Sequence, residues 1–368
     1  MVRDACSRYG AARSRPVGYT GDLAPTTCRI VTQTTQRAEA LHKFAARALS
    51  DDRITVEAAS VDASFRSYWR VKSNDGVRMG STFIVMDAPP GREDLVPWLD
   101  VAKRLRGAHL NAPEVLAEDR AQGFILMGDL GSRTYQWELN TDSVDAMYKA
   151  AMDALLVMQT RIDPAGLPDY DEARLLAEME LMPQWFIPRH LGTSVNADER
   201  AMLDSAFKVL VANALEQPQV FVHRDYHSRN LLIASPNPGI IDFQDAVRGP
   251  ITYDLVSLLR DCYVSWPSER VFAWANGYRD RLVDKNLLKF GELRWKRWFD
   301  LMGVQRHVKV LGIFARLYYR DGKAAYLNDL PLVLRYTLEV AGRYKELKPL
   351  ADWLEKRVGS RDLSKPRE

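Results

Sequence analysis

Between positions 222 and 232 the chain reads Val222-His223-Arg224-Asp225-Tyr226-His227-Ser228-Arg229-Asn230-Leu231-Leu232. Asp242 stands seventeen residues beyond Asp225, at the end of Ile240-Ile241 and just before Phe243. Two apolar pairs, Leu231-Leu232 and Ile240-Ile241, predict a short hairpin. A fold that keeps this hairpin brings together a loop carboxylate, an amide and a second carboxylate. His-Arg-Asp, four residues, then Asn, followed by an Asp-Phe after an apolar strand, is the spacing used by phosphoryl-transfer loops. Each residue type has a chemical reason. A hydroxyl attacking a phosphoryl group in line needs a carboxylate, Asp225, to orient it and take its proton late. The anionic group in transfer needs Mg²⁺, which prefers hard oxygen ligands and takes only one or two from protein. Asp242 offers a carboxylate and Asn230 an amide oxygen. The competing reading makes both aspartates ordinary loop carboxylates.

The rest of the chain frames this loop. Ile54–Ala58, Tyr68–Lys72, Ser81–Asp87, Pro113–Ala117 and Gly123–Met127 have strand character and are separated by turns such as Ser73-Asn74-Asp75-Gly76. A helix over about 93–106 interrupts them, and another is predicted over 36–50 from Ala38, Leu41, Phe44 and Ala45. After Gly131 the pattern turns helical. Val144, Met147, Tyr148, Ala151, Leu155 and Met158 fall on one face, as do Met202, Leu203, Phe207, Leu210 and Val211. This predicts an α+β, bilobal architecture: an N-terminal β-rich lobe over 34–131, a linker near 128–133, and a larger helical lobe over 132–368. A cleft between lobes is a usual ligand site. Residues 1–33, with Arg3, Arg8, Arg13, Arg15 and Arg29 among Gly, Pro, Ser and Thr, lack an apolar stretch. They are expected to be a flexible tail or sequence upstream of the fold rather than a secretory signal.

Composition narrows the function classes. Of 368 residues, 46% are apolar and 27% charged, which excludes disorder as the dominant state. No apolar run reaches the roughly 18 residues a bilayer span needs. The formal net charge is +3 with Lys and Arg scattered, which gives no nucleic-acid footprint. Cys6, Cys28 and Cys262 are far apart, so free thiols in a reducing cytoplasm are expected. No obligate protein partner is indicated.

The loop, together with Ile241-Asp242-Phe243-Gln244-Asp245, Gly249-Pro250 and Tyr253-Asp254-Leu255, resembles the aminoglycoside phosphotransferase-type branch of the protein-kinase-like fold. A protein kinase would carry Gly where Gln244 stands. Within that branch, Met86-Asp87-Ala88-Pro89-Pro90, Met182-Pro183-Gln184-Trp185-Phe186, Asp242–Tyr253 and Gln305-Arg306-His307-Val308-Lys309-Val310-Leu311-Gly312 are similar to the bacterial anomeric kinases of cell-wall recycling, which act on N-acetylmuramate and N-acetylglucosamine. The similarity spans roughly residues 34–357. It implies ATP and Mg²⁺ as cofactors, Asp225 as the base, and Asn230 and Asp242 as metal ligands. It places Ala63–Arg70, with Ser64, Phe65, Arg66 and Arg70, as the nucleotide loop, and Ile125–Leu130, with Met127 and Asp129, as the hinge that meets adenine. It puts Glu178 and Trp185 near the acceptor, a small amino sugar; Arg229, Gln244 and Asp245 are further acceptor-site candidates because they adjoin the catalytic residues in sequence.

One departure stands out. Kinases carry a lysine on the third strand to hold the α- and β-phosphates, whereas this strand reads Thr82-Phe83-Ile84-Val85-Met86-Asp87. Arg70, Lys72 or another cation takes the role, or nucleotide binding is unusual; a catalytically inactive nucleotide-binding scaffold is then the alternative. A reducing sugar suits a weak carboxylate base, because its anomeric hydroxyl is more acidic than an ordinary alcohol. Arg306, Lys309, Arg316, Arg320 and Lys323 favour an anionic acceptor over a polycationic aminoglycoside, the other acceptor considered. Asp254 and His223 are expected to brace the loop. His227, His307, Trp266 and Trp274 are assigned to packing by default, the tryptophans having sugar stacking as their alternative.

Overall fold

The computed structural model describes residues 26–61, 66–75, 79–289 and 291–367. Five antiparallel strands form the first lobe: β1 (Thr55–Val61), β2 (Ser67–Lys72), β3 (Thr82–Asp87), β4 (Val115–Asp119) and β5 (Phe124–Gly128), in the order β1-β2-β3-β5-β4. Two helices cover the sheet, and the two-residue period of a strand decides which side chains meet each. Val71, Val85, Phe124 and Leu126 point to α1 (Thr26–Leu49), where they meet Leu41, Phe44, Ala45 and Leu49. Met86, Ile125 and Met127 point the other way, into a core shared with Leu95, Trp98, Val101, Ala102 and Leu105 of α2 (Leu95–Gly107). Arg37 of α1 pairs with Asp87 at the end of β3. Tyr68, Arg70 and Ile84 line the opening toward the second lobe.

α1 begins at Thr26, eight residues inside the segment expected to be a tail. Adding turns to an existing helix costs far less than nucleating one, so the amphipathic segment after residue 36 carries the helix backward through β-branched residues that give no sequence signal of their own.

The second lobe is built on α9 (Glu292–Tyr319), whose residues from Phe299 to Gly312 are all buried. Around it lie α4 (Val144–Arg161), α5 (Glu172–Met179), α6 (Ala197–Leu215), α7 (Tyr253–Leu259), α8 (Ser268–Asp284), α10 (Leu330–Ala341) and α11 (Lys348–Val358), after a short α3 (Tyr135–Glu138). Two small ribbons carry the loop residues: β6 (Gln219–Val222) with β9 (Val247–Pro250), and β7 (Leu231–Leu232) with β8 (Gly239–Ile240). The second is the hairpin expected from the two apolar pairs.

Met182–Leu191 forms a π-helix, which the apolar pattern did not foretell. It lies against α9 so closely that a Cβ at Gly312 would sit 2.2 Å from the carbonyl carbon of Leu181. That is well inside van der Waals contact, and the obstacle is backbone. Gly312→Ala is therefore expected to destabilise the fold by about 1–3 kcal/mol, the usual cost of overpacking. A thermal or urea midpoint equal to wild type would show that the two helices can separate without cost.

Candidate active site

The loop from His223 to Asn230 is held by groups that are themselves buried. Asp254, at the start of α7, accepts the backbone N–H of His223 at 2.7 Å and of Arg224 at 3.0 Å. Burial pushes its pKa up to about 7, against the pull of those two donors. Asp261 accepts the N–H of Ser228 at 2.9 Å and of Tyr263 at 3.1 Å. The His223 ring donates from Nε2 to the carbonyl of Ile241 at 3.1 Å, leaving Nδ1 bare to face the N–H of Asp225 at 3.3 Å. Burial lowers the His223 pKa to about 4, so the ring is neutral at working pH. It ties the catalytic loop to the residue before Asp242 and donates no proton to chemistry. Both expected braces thus occupy bracing positions.

Asn230 and Asp242 meet at the end of the β7–β8 hairpin. The side-chain N–H₂ of Asn230 donates to the carbonyl of Asp225 at 3.0 Å and to Asp242 Oδ2 at 3.3 Å. Its amide oxygen is thereby left for another partner. Gln244 donates to Asp242 Oδ1 and to Asp245 Oδ2, each at 3.1 Å. Asp242 (φ +62°) and Arg224 (φ +75°) both sit in the left-handed backbone region, where a non-glycine residue stores of order 1–3 kcal/mol of strain. The loop braces and the hairpin hold them there. A carboxylate, an amide oxygen and open space suit Mg²⁺, which completes its shell with phosphate and water oxygens. Among the described residues no cluster of three or more His, Cys, Asp or Glu side chains makes a metal cage.

Asp225 is half-buried in a field of cations. Burial works to raise its pKa, but Lys309, His227, Arg224 and Arg306 outweigh it and hold the carboxyl below the ordinary aspartate value. It is therefore ionised at neutral pH.

Above Asn230 and Asp242 a cleft of about 470 Å³ opens between the lobes. Its walls include Arg70, Met127 and Asp129 from the first lobe and Arg229, Asn230 and Asp242 from the second. Trp98 of α2 packs against Phe243, ring centroids 5.1 Å apart, and joins the lobes at the back. This contact was invisible in sequence, because no spacing rule links residues 98 and 243. Arg70 is committed to the hinge: its Nε donates to Asp129 Oδ2 at 2.7 Å. Lys72 is exposed at the far end of β2, opposite Thr55 and Thr82. Arg66 instead reaches across the cleft, its Nη2 3.9 Å from Asp242 Oδ1. Ser64 and Phe65, the other expected nucleotide-loop residues, lie outside the described residues.

The expected acceptor residues divide. Arg229 lies over the Tyr263 ring at 3.4 Å, donates to Gln136 at 2.9 Å and stands 3.6 Å from Asp329. Asp245 is exposed beside Gln244. Of these three Arg229 lines the cleft, while Gln244 bridges Asp242 and Asp245. Trp185 is half-buried on the π-helix and packs on the core. Glu178 is buried in an ion-pair network beside the loop. Its Oε1 pairs with Arg224, and its Oε2 takes the Tyr170 hydroxyl and Lys309 Nζ, the latter at 3.1 Å. A buried carboxylate persists only when paired. Burial would raise its pKa, yet Lys309 and Arg224 hold it low. Glu178 positions the Arg224 turn. Trp266 donates to the Tyr148 hydroxyl at 3.1 Å and Trp274 to Asp145 at 2.8 Å, so both pack as the default reading had it. His307 stacks on Tyr336 and bonds the Arg260 carbonyl at 3.0 Å; His227 packs edge-on to Tyr263. Cys262 is a buried free thiol, while Cys6 falls outside the described residues.

Comparison with known proteins gives this geometry a context. The profile of the "Phosphotransferase enzyme family" matches residues 55–293. An N-acetylmuramate/N-acetylglucosamine kinase of Pseudomonas aeruginosa is 46% identical over 298 residues, covering 80% of this chain and 86% of the relative. One of the same name from Neisseria meningitidis serogroup B is 40% identical over 312 residues, covering 83% and 91%. Among solved structures, choline kinase LicA from Streptococcus pneumoniae superposes with a TM-score of 0.59 at 12% identity, over 82% of this chain and 99% of that one. The ADP-bound aminoglycoside phosphotransferase APH(2'')-Ib gives 0.53 at 14% identity, over 82% and 98%. At such identities these two speak for the bilobal kinase-like fold alone.

Proposed function

The chain belongs to the phosphotransferase enzyme family, and from that premise we propose that it is an ATP- and Mg²⁺-dependent kinase that phosphorylates the anomeric hydroxyl of N-acetylmuramate, N-acetylglucosamine or both. The observation that carries the reading is the meeting of Asn230 and Asp242 at 3.3 Å on the floor of an inter-lobe cleft, with Asp225 tied to the same amide. The relatives named for these two sugars, 40–46% identical over four-fifths of the chain, supply the acceptor.

In this reading the adenine lies against the hinge, with Met127 beneath it and the Arg70–Asp129 pair at its edge. Asp242 and the amide oxygen of Asn230 hold Mg²⁺, which when bound neutralises the β- and γ-phosphate oxygens. Asp225 accepts a hydrogen bond from the anomeric hydroxyl, aims its oxygen at the γ-phosphorus and takes the proton as the bond to phosphorus forms. Lys309 and Arg224, 4 Å or less from Glu178, stabilise the ionised base without touching it as hydrogen-bond partners. Arg229, Gln244 and Asp245 border the acceptor. Lys309 and Arg306 give the base a positive surrounding that suits an acceptor carrying a carboxylate and disfavours a polycation. The reaction takes place on a free small molecule in the cytoplasm, where ATP is supplied.

Incubation with Mg-ATP and each amino sugar, with the product read by phosphorus-coupled NMR, tests this. The expected product carries phosphate on the anomeric carbon. Phosphate on any other carbon, or ATP binding with no turnover on amino sugars, choline or aminoglycosides, would overturn the assignment.

A further inference from the structure

We propose that Arg66, delivered from the start of β2, is the cation that grips the nucleotide phosphates in place of the missing third-strand lysine. The inference rests on the kinase reading above and concerns only how that kinase holds its nucleotide.

The strand period selects the residue. On β3 the positions that face away from α1 are Thr82, Ile84 and Met86; Ile84 lines the cleft and Met86 is fully buried. None of the three carries charge, so β3 supplies no cation for the phosphates. On the paired strand β2, Tyr68 stands opposite Met86 and Arg70 opposite Ile84. Residues 68, 70 and 72 alternate onto the same face, and Arg66 stands one residue before the strand. Of the cations Arg66, Arg70 and Lys72, Arg70 is bound to the hinge through Asp129 at 2.7 Å. Lys72 lies six residues from Arg66, roughly 20 Å along the strand, and is exposed at the sheet's far end. Arg66 is 7% exposed and is the one of the three whose guanidinium reaches Asp242, its Nη2 standing 3.9 Å from Oδ1.

A buried guanidinium held near a metal ligand, across a cleft sized for a nucleotide, has an evident second partner. Nucleotide phosphates held beside Asp242 would bring negative charge within reach of the same guanidinium, whose fork suits phosphate oxygens better than an ammonium does. Moving the cation from β3 to β2 keeps its place at the phosphates while leaving Ile84 and Met86 free to pack the sheet. The cross-lobe pair with Asp242 also holds the cleft together before nucleotide arrives.

The test separates phosphate contact from a merely structural role. Calorimetric titration of Arg66→Met with adenosine, ADP and ATP is compared with wild type, with Arg66→Lys as the conservative variant. Charged hydrogen bonds of this kind are worth about 10- to 100-fold in affinity. The expected result is a loss of that size for ADP and ATP, adenosine binding within about twofold of wild type, and partial recovery in Arg66→Lys. Unchanged ADP and ATP affinity overturns the proposal, and so does an equal loss for adenosine, which would mean that Arg66 only shapes the pocket. If Arg66→Met does not fold, Arg66→Lys carries the test alone: the proposal requires its ADP affinity to fall while adenosine affinity holds. These readouts need no sugar. A wild-type protein that binds ATP through Arg66 yet phosphorylates no acceptor would sink the kinase reading and leave this inference standing.

Discussion

Asp225→Asn is expected to lower kcat for sugar phosphorylation by about 10²- to 10⁴-fold, the range a positioned general base contributes, while the protein still folds and still binds Mg-ATP. The amide keeps the shape of the carboxylate but cannot take the hydroxyl's proton. KM for ATP should barely move, because no atom of Asp225 belongs to the cleft wall that holds the nucleotide. The variant also has a stability signature with a definite sign. Burial alone would raise the Asp225 pKa, but Lys309, His227, Arg224 and Arg306 hold it below the ordinary value. A carboxyl depressed in the folded state stabilises the fold above its unfolded pKa of about 3.9, and that contribution is lost as pH falls through the lower folded value. Asp225→Asn should therefore melt somewhat below wild type at pH 7, with the gap closing below pH 4. A variant that turns over like wild type would move the base elsewhere. One that melts higher at pH 7 would show that the surrounding cations do not compensate the buried charge.

How much of this was readable beforehand depends on whether the signal was local. The Asp225–Asn230–Asp242 set was legible because loop, hairpin and ligands lie within twenty residues, and two apolar pairs fix their register. The five strands and α2 were legible from alternation and turn chemistry, to within two or three residues at their ends, because the sheet has one face toward α1 and one toward α2. The π-helix was not. It packs against α9 at Gly312, more than a hundred residues away, and Met182–Phe186 carries no trace of that partner. The partners of Glu178 were not legible. Its neighbours in space, Arg224, Lys309 and Tyr170, come from three separate elements, and a carboxylate's role is set by which cations bury it. The missing lysine was legible as an absence. Its replacement was not, because only the β2–β3 register and the 3.9 Å reach to Asp242 distinguish Arg66 from Arg70 and Lys72.

The substitution expected to cost most is at Asp242, and the backbone dictates which one is informative. At φ +62° an alanine would add strain to the loss of charge, so a fall in activity would have two causes. Asparagine tolerates the left-handed region better than other residues and retains an oxygen for Gln244. Asp242→Asn should thus fold with near wild-type stability, since asparagine keeps the shape of the side chain and the backbone conformation. It should lose Mg²⁺-dependent turnover by roughly 10³-fold or more, because metal-borne charge neutralisation is worth several kcal/mol in the transition state. The nucleotide gives a second reading. In wild type without metal, the Asp242 carboxylate repels incoming phosphates and competes with them for Arg66. With that charge removed, ADP binding in EDTA should be unchanged or tighter, while the gain in affinity on adding Mg²⁺ should vanish. Wild-type dependence of both rate and ADP affinity on Mg²⁺ in Asp242→Asn would mean that the cation sits on other oxygens. The geometry of Asn230, Asp242 and Gln244 would then be a structural knot at the mouth of the cleft rather than the seat of phosphoryl transfer.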